Sequence, residues 1–141
     1  MADRAPDIDS AATEVLRGGV RVLSIEEDLP LVEISPGVSA RHLVASRLML
    51  RLVQVENASF ELGGEGLAEH VLLVLDGQMQ VTDSAGRRSL TVGDVVVLPP
   101  STRSQIASAS GRSRCVVVDS PPDVELVREL FHLDHSDHGF D

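Results

Sequence analysis

Short runs of Val, Leu and Ile, broken again and again by turn residues, constrain this chain more than any other feature. Residues 31–34 run into Ser35-Pro36-Gly37, residues 38–45 follow, and residues 47–55 form a longer run. Residues 70–75 close on Asp76-Gly77, and residues 78–82 precede Asp83-Ser84-Ala85-Gly86. Residues 89–92, 95–98, 105–107 and 114–118 continue the rhythm. Runs of this length suit strands, since helices need more residues to bury a stripe. Regularly spaced turn signals then imply an all-β sandwich or barrel. Residues 20–25 read as a further strand, and Asp76-Gly77 as a tight hairpin turn with residues 78–82 as its return strand. Within residues 47–55, Leu48, Leu50 and Leu52 share one face before Val53 and Val55 take over the apolar phase. That switch implies a bulge or a strand covered on both faces.

Only the C-terminal end carries a helical pattern. Ser120 can cap, Pro121 suits a first turn, and Asp123 lies three residues after the cap. Val124, Val127 and Leu130 or Phe131 then form an apolar stripe at helical spacing. The expected organisation is a disordered arm over 1–12, a barrel over 13–120, a helix over 121–132 and a flexible tail over 133–141. No internal repeat or second domain is visible in the 141 residues.

Composition narrows the partners. The net charge is −10, which disfavours nucleic acid and anionic membranes, because both attract positive charge. Three Phe with no Trp or Tyr leave no stacking platform for bases, so the core must be aliphatic. The single cysteine, Cys115, lies in a strand-like run and reads as a small buried hydrophobe. No apolar stretch is long enough for a membrane helix, and the acidic N-terminus lacks a signal-peptide core, so a cytoplasmic location is expected.

The segment Leu90-Thr91-Val92-Gly93-Asp94-Val95-Val96-Val97-Leu98-Pro99-Pro100 resembles the second conserved motif of the cupin superfamily, with Gly93 at the tight turn and Pro99 ending the strand. Val71 to Met79, including Gly77, is similar to the end of the first motif, and residues 35–50 are similar to small single-domain cupins. The resemblance covers about residues 20–120 and implies a cupin-like double-stranded β-helix, or jelly-roll barrel, here with a short C-terminal helix. It also implies a degenerate metal site. The family's two histidines fall on Gly64 and Gly66, its glutamate on His70, and the second motif's histidine on Ser104. The second motif's last glycine and its asparagine fall on Ser101 and Ser108. Glycine offers no donor and a neutral hydroxyl is a poor ligand, so no metal and no cofactor is expected.

His70 is the one titratable group left at a ligand position. Strand alternation places it with Leu72 and Val74, on the face expected to line the barrel. It is the candidate catalytic acid or base; a histidine merely satisfied at the barrel mouth is the plainer reading. Ser104 and Ile106 would face the same interior, and with Leu72 they complete the candidate ligand-binding set. Arg51 joins that set if it points inward to meet an anionic ligand, whereas the default for an arginine is the outer surface. Glu61, Glu65 and Glu69 flank the Gly-rich loop 63–66 and could, with His70, build a displaced metal site, although a loop carrying three acids is more often merely solvated. His132, His135 and His138 belong to the polar tail.

Three functions follow. The first is a metal-free or weakly metal-binding barrel for a small, mainly apolar molecule. The second is a cyclase, isomerase or epimerase in which His70 moves a proton. The third is a metalloenzyme with the displaced site. The smallness of Gly64, Gly66 and Ser104 predicts a cavity at the barrel mouth with few polar points. The two-faced apolar strand over 47–55 predicts a homodimer.

Overall fold

The computed structural model describes residues 19–122 and residue 128. The first regular element is one helical turn, α1 (Ile25–Asp28). Ten strands follow: β1 (Leu31–Ser35), β2 (Val38–Val44), β3 (Met49–Glu56), β4 (Ser59–Gly63), β5 (Glu69–Asp76), β6 (Met79–Asp83), β7 (Gly86–Leu90), β8 (Val95–Leu98), β9 (Arg103–Ser108) and β10 (Arg112–Ser120). They form two antiparallel sheets, one of six strands in the order β1-β2-β3-β10-β5-β8 and one of four in the order β4-β9-β6-β7. This is the expected all-β jelly roll. No helix among the described residues is long and apolar enough to cross a membrane. The arm over 1–12 and the tail over 133–141 lie outside the described residues, as does the helix over 121–132 except for Pro121, Pro122 and Arg128, which is helical.

Alternation builds the core. Along β3, Met49, Arg51, Val53 and Val55 turn inward; along β10, Ser113, Cys115, Val117 and Asp119 do; along β5, His70, Leu72 and Val74 do. The smaller sheet answers with Leu62, Met79, Val81, Leu90 and Ile106. Each fully buried aliphatic side chain stabilises the fold by about 1.5–3 kcal/mol, which is how a barrel without Trp or Tyr holds together. The register of β3 against β2 and β10 is continuous, so the phase switch over 47–55 is not a bulge. Leu50 and Leu52 are half-buried on the outer face instead, the two-sided alternative.

Three local expectations fail for identifiable reasons. Residues 20–25 are not a strand: Val20 is 92% exposed and Val22 71%. The Ser24 amide donates to Asp28 Oδ2 at 2.7 Å, and this local bond favours the helical turn over sheet pairing. Asp76-Gly77 is not a hairpin turn, because β5 and β6 lie in different sheets. Both edges of β5 are already taken by β10 and β8. The Gln78 carbonyl accepts instead from the Ala109 amide and the Ser113 hydroxyl, both at 2.8 Å, so the chain turns a corner between sheets. The expected strand over 89–92 is displaced to β7, since Thr91 and Gly93 serve the following turn. There the Thr91 amide donates to Asp94 Oδ2 at 2.8 Å and the Gly93 amide to the Val74 carbonyl at 3.0 Å. Strand β4 has only Phe60 and Leu62 as apolar markers and gives almost no alternation to read.

The corner at Gly77 requires glycine. Its φ is +79°, and a Cβ there would lie 2.5 Å from the Arg112 carbonyl oxygen and 2.7 Å from Ser113 Oγ. Gly77→Ala is expected to lose about 1–3 kcal/mol, read as a lower midpoint in urea unfolding at unchanged slope.

Candidate active site

Three inward-facing polar side chains meet on the larger sheet. Strand β10 lies between β3 and β5, and Asp119 is in register with Met49 on one side and His70 on the other. Arg51 lies two residues along β3 from Met49, on the same face, and reaches Asp119 diagonally. Its Nε donates to Asp119 Oδ2 at 3.1 Å and its Nη2 to Oδ1 at 3.1 Å. His70 Nδ1 shares a short hydrogen bond with Asp119 Oδ1. All three are buried: Arg51 is 7% exposed, His70 3% and Asp119 0%.

Burial alone would raise the Asp119 pKa. The hydrogen bond from His70 and the charge and hydrogen bonds of Arg51 outweigh it, and the carboxyl is held below its ordinary value. An ionised carboxylate only accepts, so Nδ1 of His70 carries the proton. In its neutral form the imidazole then presents Nε2 as its basic nitrogen, the tautomer a proton-abstracting group needs.

The other candidates sort clearly. Ser104 points inward from β9 and is 4% exposed, and its Oγ has no hydrogen-bond partner among the described residues. Leu72 and Ile106 are fully buried in the aliphatic core below the polar cluster. Arg51 points inward, contrary to the surface default, because Asp119 supplies the counter-charge that makes its burial tolerable. Glu61 pairs with Arg103 at 3.5 Å on the exposed side of the smaller sheet. Glu65 and Glu69 are exposed, and Glu69, as the residue before His70, projects from the opposite face of β5. The displaced metal site is thus not assembled, since neighbouring strand residues point apart. Cys115 is buried in the core, and burial pushes its thiol up to about 12 against the opposing charge of Arg51, so it is no nucleophile at neutral pH. His132, His135 and His138 lie outside the described residues.

Asp119 is the residue that sequence reasoning missed. The apolar run over 114–118 stops one residue short of it. One further step of the alternation Cys115, Val117, Asp119 would have turned it inward. His42 was also passed over; it opposes Arg51 across β2 and β3, in phase with inward Val38 and Ala40.

The residues at the barrel's ligand positions do not fit a metal of the cupin type. Among the described residues no three His, Cys, Asp or Glu side chains converge as a ligand set. Both oxygens of Asp119 are engaged, and the adjacent guanidinium would repel a cation.

No protein-family model and no curated protein sequence matches the chain. Solved structures do. KdgF from Halomonas sp. aligns with a TM-score of 0.64 at 20% identity, covering 74% of this chain and 96% of that one. An RmlC-like cupin from Shewanella frigidimarina aligns at 0.65 and 18% identity, covering 76% and 96%. The polyketide cyclase RemF from Streptomyces resistomycificus aligns at 0.60 and 19% identity, covering 72% and 80%. The fold is that of the cupins. Within it, this barrel carries Gly64, Gly66 and Ser104 at the same end as the Arg51–Asp119–His70 cluster.

Removing Asp119 leaves Arg51 buried without its counter-charge. Asp119→Ala is expected to lose about 3–5 kcal/mol, whereas Arg51→Met combined with Asp119→Leu and His70→Leu should recover most of it. The pH dependence has a definite sign. The folded carboxyl titrates below its unfolded value of about 3.9, so its stabilisation is complete above that pH and is lost as pH falls through the folded value. Urea midpoints measured from pH 6 down to 2.5 should fall more steeply for the native chain than for Asp119→Asn.

Proposed function

We propose that this barrel binds a small, mainly apolar molecule and moves a proton on it through His70, without a metal, as a cyclase, isomerase or epimerase does. The observation that carries this reading is the hydrogen bond from His70 Nδ1 to a carboxylate that Arg51 already holds by two bonds. Buried ion clusters add little net stability compared with aliphatic side chains of similar volume. A core made mainly of Val, Leu, Ile and Met gains nothing in packing from three ionisable groups at one end. What the cluster does provide is an imidazole of set orientation and tautomer, with a counter-charge waiting for the imidazolium. The fold of the polyketide cyclase RemF is compatible with such a role, although fold alone does not assign chemistry.

The test is solvent deuterium incorporation. The native chain is incubated in D2O with a library of small apolar carbon acids, including ketones, thioesters, 2-hydroxy acids and dicarbonyl compounds, and labelling is read by mass spectrometry. Labelling of at least one compound is expected to vanish in His70→Gln and to persist in His132→Ala and His135→Ala, with all variants folded by circular dichroism. Equal labelling by His70→Gln would sink the proposal.

The reading extends to assembly as a homodimer. Among the described residues β8 is a sheet edge, and its sequence Val95-Val96-Val97-Leu98 carries no charge or proline to discourage pairing. Val95 and Val97 are 54% and 58% exposed on the outer face, beside half-buried Val71 and Leu73 of β5. A second copy covering this face should give twice the chain mass by light scattering at micromolar concentration, and Val97→Lys should return it to the monomer mass.

A further inference from the structure

We infer that the carbon acid handled here is a 1,3-dicarbonyl compound with aliphatic substituents, and that Ser104 donates a hydrogen bond to the oxygen on which charge develops. This rests on the acid–base reading of His70. Ser104 and His70 occupy the same end of the barrel. Ser104 pairs with Leu62, and the next pair along those strands is Gly63 with Arg103. Gly63 packs against Leu98, since a Cβ on it would lie 2.6 Å from Leu98 Cδ2, and Leu98 is the register partner of His70. The loops over this end are tied together, with the Gly64 amide donating to the Thr102 carbonyl at 2.9 Å and the Ser101 amide to the Gly66 carbonyl at 3.2 Å. A Cβ on Gly64 or Gly66 would meet nothing within 4 Å, so these glycines leave the rim open.

Ser104 is the independent observation. A buried hydroxyl without a partner is destabilising, and native structures retain such groups where a ligand completes them. Its neighbour in phase, Ile106, is fully buried, so Oγ faces the barrel interior.

The substrate class follows from what the site lacks. Arg51 is committed to Asp119 through both Nε and Nη2 and offers no free charge to an enolate. Among the described residues the donor set suits no metal. Among the described residues a neutral hydroxyl then stands beside an imidazole base, and it gives a developing enolate less stabilisation than a metal ion or a free cation would. The substrate must supply its own stabilisation, as a second conjugated carbonyl does. In the step, Nε2 of His70 takes the proton from the carbon between the carbonyls. The C–H electron pair becomes the enolate double bond, and the carbonyl π pair moves onto the oxygen facing Ser104. Asp119 balances the imidazolium, which then returns a proton to the same carbon or exchanges it with solvent. No oxidant or reductant is involved.

The probe is ethyl 2-methylacetoacetate in D2O, with loss of the proton between the carbonyls followed by proton NMR and 3-methyl-2-pentanone as the simple ketone. The native chain is expected to accelerate exchange of the first and not the second. Ser104→Ala should slow it roughly 100-fold, the loss of one oxyanion donor, with no fall in the unfolding midpoint because the lost hydroxyl had no partner. Unchanged exchange in Ser104→Ala, or equal acceleration of the simple ketone, overturns the inference while leaving the acid–base reading intact if His70→Gln is inactive. Labelling of other carbon acids through His70 but not of this dicarbonyl overturns it in the same way. Absence of any His70-dependent labelling overturns both.

Discussion

One carboxylate ties three strands of the larger sheet together on its inner face. Asp119 takes two hydrogen bonds from Arg51 of β3 and one from His70 of β5, while its own strand β10 runs between them. The arrangement is mutual. Arg51 can be buried only because the carboxylate is there, and the carboxylate stays ionised at zero exposure only because Arg51 and His70 face it. Everything distinctive about this end of the barrel depends on that bond set: the direction of the imidazole, its tautomer, and the neutralisation of the Arg51 charge.

The surrounding barrel makes the cluster consequential. Below it the interior is aliphatic, with Leu72, Val117 and Ile106 fully buried. A low-dielectric floor strengthens each polar contact above it and excludes competing water. Above it, Gly64 and Gly66 add no side chains at the rim, and Ser104 turns an unmatched hydroxyl inward. The rim offers space and a single unmatched donor, and the ionisable groups of β3, β5 and β10 neutralise one another beneath it.

Much of the barrel was legible in the chain, because period-two alternation and turn residues are local signals. The strands β1, β2, β3, β5, β8, β9 and β10 overlap runs of Val, Leu or Ile that turn residues bound, and alternation with Leu72 and Ile106 turns His70 and Ser104 inward. Pairing was less legible. Asp76-Gly77 has the composition of a hairpin turn, yet it joins two sheets, because no local signal says that both edges of β5 are occupied by strands distant in sequence. Residues 20–25 have strand composition and pair with no strand among the described residues.

By itself, then, the sequence determined the all-β class, the aliphatic core and the inward turn of His70, since each depends only on residue type and the two-residue repeat of a strand. Tertiary structure decided the rest of the site. Arg51 and Asp119 are 68 positions apart in the chain, and His70 and Asp119 are 49 apart. An arginine inside an aliphatic strand reads as a surface charge until its partner is known, and an aspartate at the end of a strand reads as part of a polar tail. Only the placement of β10 between β3 and β5 brings the opposite charges within 3.1 Å, and that proximity reverses the energetic preference of both residues for water.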